Sequence, residues 1–276
     1  ADRANLAKTN FLSRMSHDIR TPLNGIIGLL KINSAHSDDE KLVKANREKM
    51  LVSANHLLSL INDVLQMSKL EDGEVVLSHE VVSIDDIMKD IDTIVEQRAA
   101  NAGITMEYTE DDNMADVPYV YGSPLHIRQL FLNIYSNCIK YNKIGGRVRT
   151  RVSCTVSDDG RAAYEWVISD TGIGMSQDFV DHIFEPFTQE SVDARSVYNG
   201  TGLGMAIVKN LVETMGGHIE VASTQGVGTT FIIKIPFEIA DTAPEVQSES
   251  EDLKKSDIKG LKLLLVEDNG LNAEIA

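Results

Sequence analysis

Two long stretches near the start of the chain carry apolar residues at spacings of three and four, separated by a short polar break. In residues 3–33 the series is Phe11, Met15, Ile19, Pro22, Ile26 and Leu29. In residues 40–70 it is Met50, Ala54, Leu57, Leu58, Ile61 and Leu65, ending at the small Ser68. This spacing keeps the apolar side chains on one face of an α-helix and does not suit a strand. The intervening "NSAHSDDE" breaks the pattern and supplies a cap for the second helix. The expected product is a helical hairpin. A lone hairpin buries only one side of each stripe, so pairing of two copies into a four-helix bundle is the economical solution. A homodimer is therefore expected.

The first helix contains "SHDIRTPLN", residues 16–24. At 100° per residue His17 lies roughly 200° from Met15, almost opposite the apolar stripe. Thr21 follows one turn later on the same face as His17, and Asp18 lies on the flank beside them. An imidazole placed outward next to a carboxylate differs from a core histidine satisfied by packing. Pro22 removes a backbone donor just after the pair and is expected to bend the helix there.

Beyond "LEDGE" (residues 70–74), a break with a glycine that suits a hinge, the pattern becomes mixed. "VVSIDDIMKDIDTIVEQRAANAG" reads as a capped helix stopped by Gly103, followed by the strand "ITMEY". A long helix is expected over about 123–142. "RVRTRVSCTV" and "AAYEWVISD" alternate as strands around the turn "SDDG", with Trp166 expected in the core. A further helix spans about 203–216 and stops at Gly216-Gly217; "HIEVAST" and "TTFIIKIPF" then form a hairpin around "QGVG". Antiparallel strands with helices on one face make an α+β sandwich. From residue 240 the composition turns acidic and Ser-rich, as a flexible linker does, and "LKLLLVEDN" begins a new buried strand that stops short of a domain. The expected organisation is a helical hairpin at 1–72, an α+β domain at 73–239, a linker at 240–259 and a truncated strand at 260–276. Because the chain starts inside a helical pattern and ends abruptly, a longer parent protein is expected.

Two glycine clusters, "DTGIGM" (170–175) and "GTGLGMAIV" (200–208), flank a partly patterned stretch of the kind that forms a lid. A lone GxG usually marks a turn; the pairing says more. The second cluster opens a helix, where free backbone N–H groups and the dipole suit a phosphate. The first follows a strand and begins with Asp170, whose carboxylate can accept from an exocyclic amine such as adenine's. Upstream, "NIYSNCIKYN" sets Asn133 and Asn137 four apart on one helical face, with Lys140 three further on. An amide oxygen can ligate Mg²⁺ alongside phosphate, and Lys140 can meet a phosphate as a point charge; spacing alone favours a solvated helix face.

With a formal net charge of −16, nucleic acid and an anionic membrane surface are poor general partners. Any polyphosphate must be held locally. Cys138 and Cys154 have no CxxC spacing or His/Cys cluster around them, which argues against a disulfide framework or zinc site. No run approaches the ~18 apolar residues of a membrane span, and a cytoplasmic setting is expected. The histidines at 36, 56, 79, 126, 182 and 218 form no cluster and read as structural.

These segments together resemble the sensor histidine kinases. "FLSRMSHDIRTPLNGIIGLL" resembles the H-box, "LFLNIYSNCIKYN" the N-box, "DTGIGM" the G1 box, "IFEPFTQ" the F-box and "GTGLGMAIVKNLVE" the G2 box, in the family's order over about residues 1–239. "LLLVEDN" resembles the opening of a receiver domain, as in hybrid kinases. The resemblance implies a dimeric four-helix bundle followed by an α+β sandwich with the histidine kinase/gyrase-type ATP-binding fold. It implies ATP and Mg²⁺ as ligands, a homodimer, and a receiver domain or response regulator as partner. It also implies a sensor region ahead of residue 1, through which membrane attachment stays open.

On this resemblance His17 would be the phosphoacceptor, Asp18 its base or orienting partner, and Thr21 the position that helps water attack a phosphorylated regulator. Asn137 would ligate Mg²⁺, with Asn133 and Lys140 around the phosphates and Tyr141 near the adenine. Asp170 would read the adenine amine, Gly172 and Gly174 would allow close approach to the base, and Gly202, Leu203 and Gly204 would bring the lid to the phosphates. Phe184 and Phe187 would anchor the lid. Thr229 or Thr230 would support the nucleotide. Glu267 and Asp268 would be metal-binding acids of the receiver. Two departures stand out: Gln189 occupies a place where some relatives carry arginine, leaving Arg195 as the lid cation, and Cys138 replaces the usual alanine without evident consequence.

Overall fold

The computed structural model describes residues 2–71, 76–110, 117–186, 188, 190 and 202–243, with side chains from residue 18 onward except at 56, 59, 63, 66–71 and 110. Helices α1 (Asp2–Ala35) and α2 (Glu40–Glu71) form the hairpin. Asp39 starts α2 by accepting from the Leu42 amide at 3.0 Å, a side-chain cap for a donor the helix cannot satisfy. Across the hairpin, Asn46 is 3% exposed and donates to the Asn33 side chain at 2.7 Å. Pro22 is buried within α1, while Ile19, Ile26 and Leu29 are half-buried, so this part of the expected stripe faces inward. Leu23, Ile27, Leu30 and Ile32 on α1, with Leu51, Val52, Leu58, Ile61 and Leu65 on α2, stay exposed.

The second region places three helices on one face of a seven-stranded sheet. Its elements are β1 (Glu80–Val82), α3 (Ile84–Asn101), β2 (Thr105–Glu110), β3 (Val120–Gly122), α4 (Pro124–Lys140), β4 (Arg147–Val156), β5 (Arg161–Asp170), α5 (Gln177–Val180), α6 (Gly204–Thr214), β6 (His218–Thr224) and β7 (Gly228–Ile239). The strand order is β1-β3-β7-β5-β4-β2, with β6 also paired to β7. In α3, Ser83 accepts from the Asp86 amide, and Ile84, Ile87, Ile91, Val95 and Ala99 form the buried stripe. The helix ends where Gly103 turns to φ +69°, a conformation that favours glycine.

Along β5, Ala162, Tyr164, Trp166 and Ile168 alternate into the core. Trp166 is fully buried, meeting Phe131 of α4 edge-on with centroids 4.9 Å apart and stacking on Tyr164 at 5.4 Å. Val64 of α2 also packs against this core.

Three features differ from the sequence expectation. Val81 and Val82 belong to a short strand rather than the start of a helix, because Ser83 sets the helix boundary and both side chains suit a pleated surface. β3 lies where no strand was expected. β2 pairs with β4 in parallel, so the sheet is mixed; the chain between them passes through β3 and α4, long enough for the crossover that a parallel pair requires.

Candidate nucleotide site

The site assembles at the ends of four elements. α4 supplies Asn133 and Asn137, both half-buried, because its opposite face is spent on Ile127, Leu130, Phe131, Ile134, Tyr135 and Cys138 in the core. One turn separates the two amides, and Asn133 reaches the beginning of α6: a Cβ placed on Gly204 would lie 3.9 Å from its amide oxygen. The expected N-box and G2 residues are thus neighbours in space, although some 70 residues separate them in sequence. α6 starts at Gly204 with no side-chain cap, so its first N–H groups receive no help from a capping residue. Leu203, just before it, is buried and pins this helix start to the core. Gly202 holds φ +70° where the chain turns in.

Asp170 closes β5. Its Oδ1 accepts from the Gly172 amide at 2.8 Å and from the Thr229 amide at 3.3 Å. Burial pushes its proton affinity above the ordinary carboxylate value, while these amides and the Cys138 thiol pull it back. Of the two threonines, Thr229 therefore engages Asp170, whereas the Thr230 hydroxyl pairs with Ser169 at 2.9 Å.

The loop after Asp170 is clamped from both sides. Ile173 donates to the Tyr141 carbonyl at 3.0 Å, and Gly226 of the β6–β7 turn donates to the Ile173 carbonyl at 2.6 Å. A Cβ on Gly172 would run into the Tyr141 carbonyl, and one on Gly174 into the Thr224 carbonyl; Gly174 also sits at φ +62°. Glycine is required here by the protein's own backbone, in addition to any demand from a ligand. A cleft of about 350 Å³ follows this loop, lined in part by Lys143, Gly172, Ile173, Gly174 and Glu190. Lys140 is half-buried at the end of α4, with its ammonium 4.9 Å from the centre of the Tyr141 ring, which is 38% exposed.

At the start of the expected lid, Phe184 is half-buried against the core, with Lys209 of α6 5.7 Å from its ring centre. Glu190, which sequence reasoning passed over, accepts from the Ser176 amide at 3.0 Å and ties the middle of this segment back to its start. No motif marks it. Phe187, Gln189 and Arg195 lie outside the described residues, as do Glu267 and Asp268.

On the hairpin, His17 is part of α1, though its side chain is outside the described set; Asp18 is half-buried and Thr21 exposed. Among the described residues, no cluster of His, Cys, Asp or Glu could hold a metal ion, so a cation here would depend on amide oxygen and on oxygens brought by the nucleotide.

Two family models match the chain. His Kinase A (phospho-acceptor) domain covers residues 7–73, and Histidine kinase-, DNA gyrase B-, and HSP90-like ATPase covers 122–239. The chain belongs to the sensor histidine kinases. It is 34% identical to the autoinducer 2 sensor kinase/phosphatase LuxQ of Vibrio parahaemolyticus, over all of this chain and 32% of LuxQ. It is likewise 34% identical to the sensor histidine kinase AruS of Pseudomonas aeruginosa, over all of this chain and 27% of AruS. The chain thus spans about a third of the length of the curated relatives it matches. Among solved structures, full-length ShkA in complex with AMPPNP matches with a TM-score of 0.60 and 29% identity, over 83% of this chain and 46% of ShkA. The mixed sheet and its covering helices are the fold of this kinase ATPase domain. No helix of the described residues is long and apolar enough to cross a membrane.

Proposed function

We propose that this chain binds ATP with Mg²⁺ between α4, the loop after Asp170 and the start of α6, and transfers the γ-phosphoryl group to His17. The observation that carries the reading is that α4 meets the start of α6, which has no side-chain cap, at Asn133, and meets the loop after the partly buried Asp170 at Tyr141. Asp170 would accept from the adenine amine, Tyr141 would flank the base, and the α6 amides with Lys140 would take the phosphates. The donors present fit a hard cation: Asn137 would hold Mg²⁺ through its amide oxygen, the remaining ligands coming from phosphate and water. Bound there, Mg²⁺ neutralises phosphate charge.

In the transfer, an unprotonated nitrogen of the His17 imidazole attacks the γ-phosphorus as the bond to the bridging oxygen breaks, and ADP leaves. Asp18 orients the ring, holding the proton on its other nitrogen so that the attacking one keeps its lone pair. Little covalent help is needed, because such transfer depends mainly on positioning and charge neutralisation. Since nucleophile and nucleotide belong to different regions of the chain, the ATP-binding region must approach His17 to deliver the phosphate; most of the expected hinge at 70–74 lies outside the described residues.

The gyrase-type alternative, hydrolysis, would need a carboxylate four residues before the metal asparagine to activate water. Asn133 stands there, and an amide cannot take the proton.

Onward transfer to a receiver aspartate is supported by the resemblance of "LLLVEDN" to the opening of a receiver domain; those residues, like the expected linker beyond residue 243, lie outside the described residues. Thr21 would serve a phosphatase reaction, in which water attacks the phosphoryl group on a regulator's aspartate and inorganic phosphate leaves. Incubation with γ-labelled ATP is expected to label the chain with an acid-labile, base-stable phosphate, and His17→Ala to abolish it; undiminished labelling of that variant would refute the assignment.

A further inference from the structure

We propose that Ser123 and His126 are positioning residues for the transfer to His17: together they hold Ser78, so that the chain arriving from the hairpin is part of the ATP-binding region from Ser78 onward. This tie serves the transfer proposed above and rests on that reading.

Ser123 is the N-cap of α4, a place where a serine hydroxyl normally accepts from an amide of the first turn. Here it makes no such bond. Pro124 follows at the first helical position and has no N–H, so this helix start asks less of its cap. The hydroxyl is turned to other partners. Ser123 is 3% exposed, and its Oγ accepts from the Ser78 amide at 3.3 Å and from the Ser78 hydroxyl at 3.0 Å. It also lies 2.7 Å from Nδ1 of His126. A hydroxyl has two lone pairs and one hydrogen. Both lone pairs go to Ser78, which leaves the hydrogen for His126. The imidazole is then neutral, with Nδ1 accepting and its proton on Nε2. Burial supports that state, because it holds the proton affinity of His126 below the ordinary value.

Every hydrogen-bonding position of this buried hydroxyl is thereby filled, two of them by Ser78. The next residue is held as well. The His79 ring stacks on Tyr121 of β3 with centroids 4.4 Å apart, and its Nε2 lies 3.5 Å from the Glu238 carboxylate of β7. Pairing of Glu80 with Gly122 continues the attachment into β1. A turn of the ATP-binding region relative to the hairpin must therefore take place ahead of Ser78. That bears on the reaction, because the connecting chain sets how often the γ-phosphate meets His17. Effective concentration falls roughly as the −3/2 power of tether length, so a tether doubled by release of residues 76–79 lowers the transfer rate roughly threefold. Nucleotide affinity stays the same, since neither serine belongs to the nucleotide site.

The test compares the whole chain with Ser123→Ala, Ser78→Ala and Ser78→Thr. AMPPNP with Mg²⁺ is titrated calorimetrically, labelling from γ-labelled ATP is timed at saturation, and amide hydrogen exchange is followed in peptides covering 76–82 and 127–138. Ser123→Ala is expected to bind AMPPNP like the parent, to label roughly threefold more slowly, and to exchange faster in 76–82 but not in 127–138. Ser78→Ala should slow labelling by about twofold, because its amide still donates to Ser123. Ser78→Thr keeps the hydroxyl and should match the parent. If either alanine variant labels at the parent rate or faster, the tie does not position the reaction and the proposal fails. It fails too if slower labelling comes with weaker AMPPNP binding and faster exchange throughout α4, since general destabilisation then explains the loss. Should Ser123→Ala not fold, Ser78→Ala decides by the same criteria, as it alters a half-buried side chain outside the core. A parent that binds AMPPNP but is never labelled would show the transfer itself to be wrong, and the role of the tie would fall with it.

Discussion

Asp92 illustrates how a single side chain answers to its enclosure. It lies on the half of α3 that packs over β2, and its Oδ1 is enclosed without a hydrogen-bond partner among the described residues. Burial pushes its pKa up to about 6; the Tyr108 hydroxyl works against the rise and the Glu96 charge adds to it. The folded state therefore holds this proton more tightly than the unfolded chain. Its contribution to stability is greatest at pH values below the ordinary Asp value and declines as the pH rises to about 6, beyond which a constant penalty remains. Asp92→Asn is expected to melt at a higher temperature than the parent at pH 8, with the gap closing as the pH falls toward 4; a pH-independent gap would contradict this.

Among the elements, the loop 171–175 depends most on its neighbours. It joins Tyr141 to the β6–β7 turn through Ile173, and Gly174 fits only because it has no Cβ. Gly174→Ala is expected to cost about 2 kcal/mol or more, combining strain at positive φ with displacement of a backbone carbonyl. Nucleotide binding should fall with it. Urea unfolding and AMPPNP titration check this, and a variant matching the parent in both would show that the loop has slack. Most helices were well marked in sequence, since the cap at Asp39 and the glycine at 103 announce their ends locally; the start of α3 at Ser83 was the boundary missed. The short strands β1 and β3 were not marked. With three residues each, they carry too little periodicity, and it is pairing with one another and with β7 that makes them strands.

For the whole molecule, the hairpin leaves an apolar surface that one chain cannot cover: Leu30 is 51% exposed and Leu58 58%. Association through this surface predicts that Leu30→Glu together with Leu58→Glu converts a dimer to a monomer in light scattering, with the ATP-binding region still folded. A dimer that persists would place the interface elsewhere. By itself the sequence determined the two long helices, the alternating strands, the order of the motifs and the residue types each could offer to a nucleotide, because helical and strand periodicity and capping are local properties of a chain. Tertiary structure alone decided that β2 runs parallel to β4, that Thr229 rather than Thr230 serves Asp170, and that Asn133 meets Gly204. Those outcomes depend on register and close packing between segments far apart in the chain, and no local pattern encodes which of several chemically equivalent groups arrives within hydrogen-bonding distance.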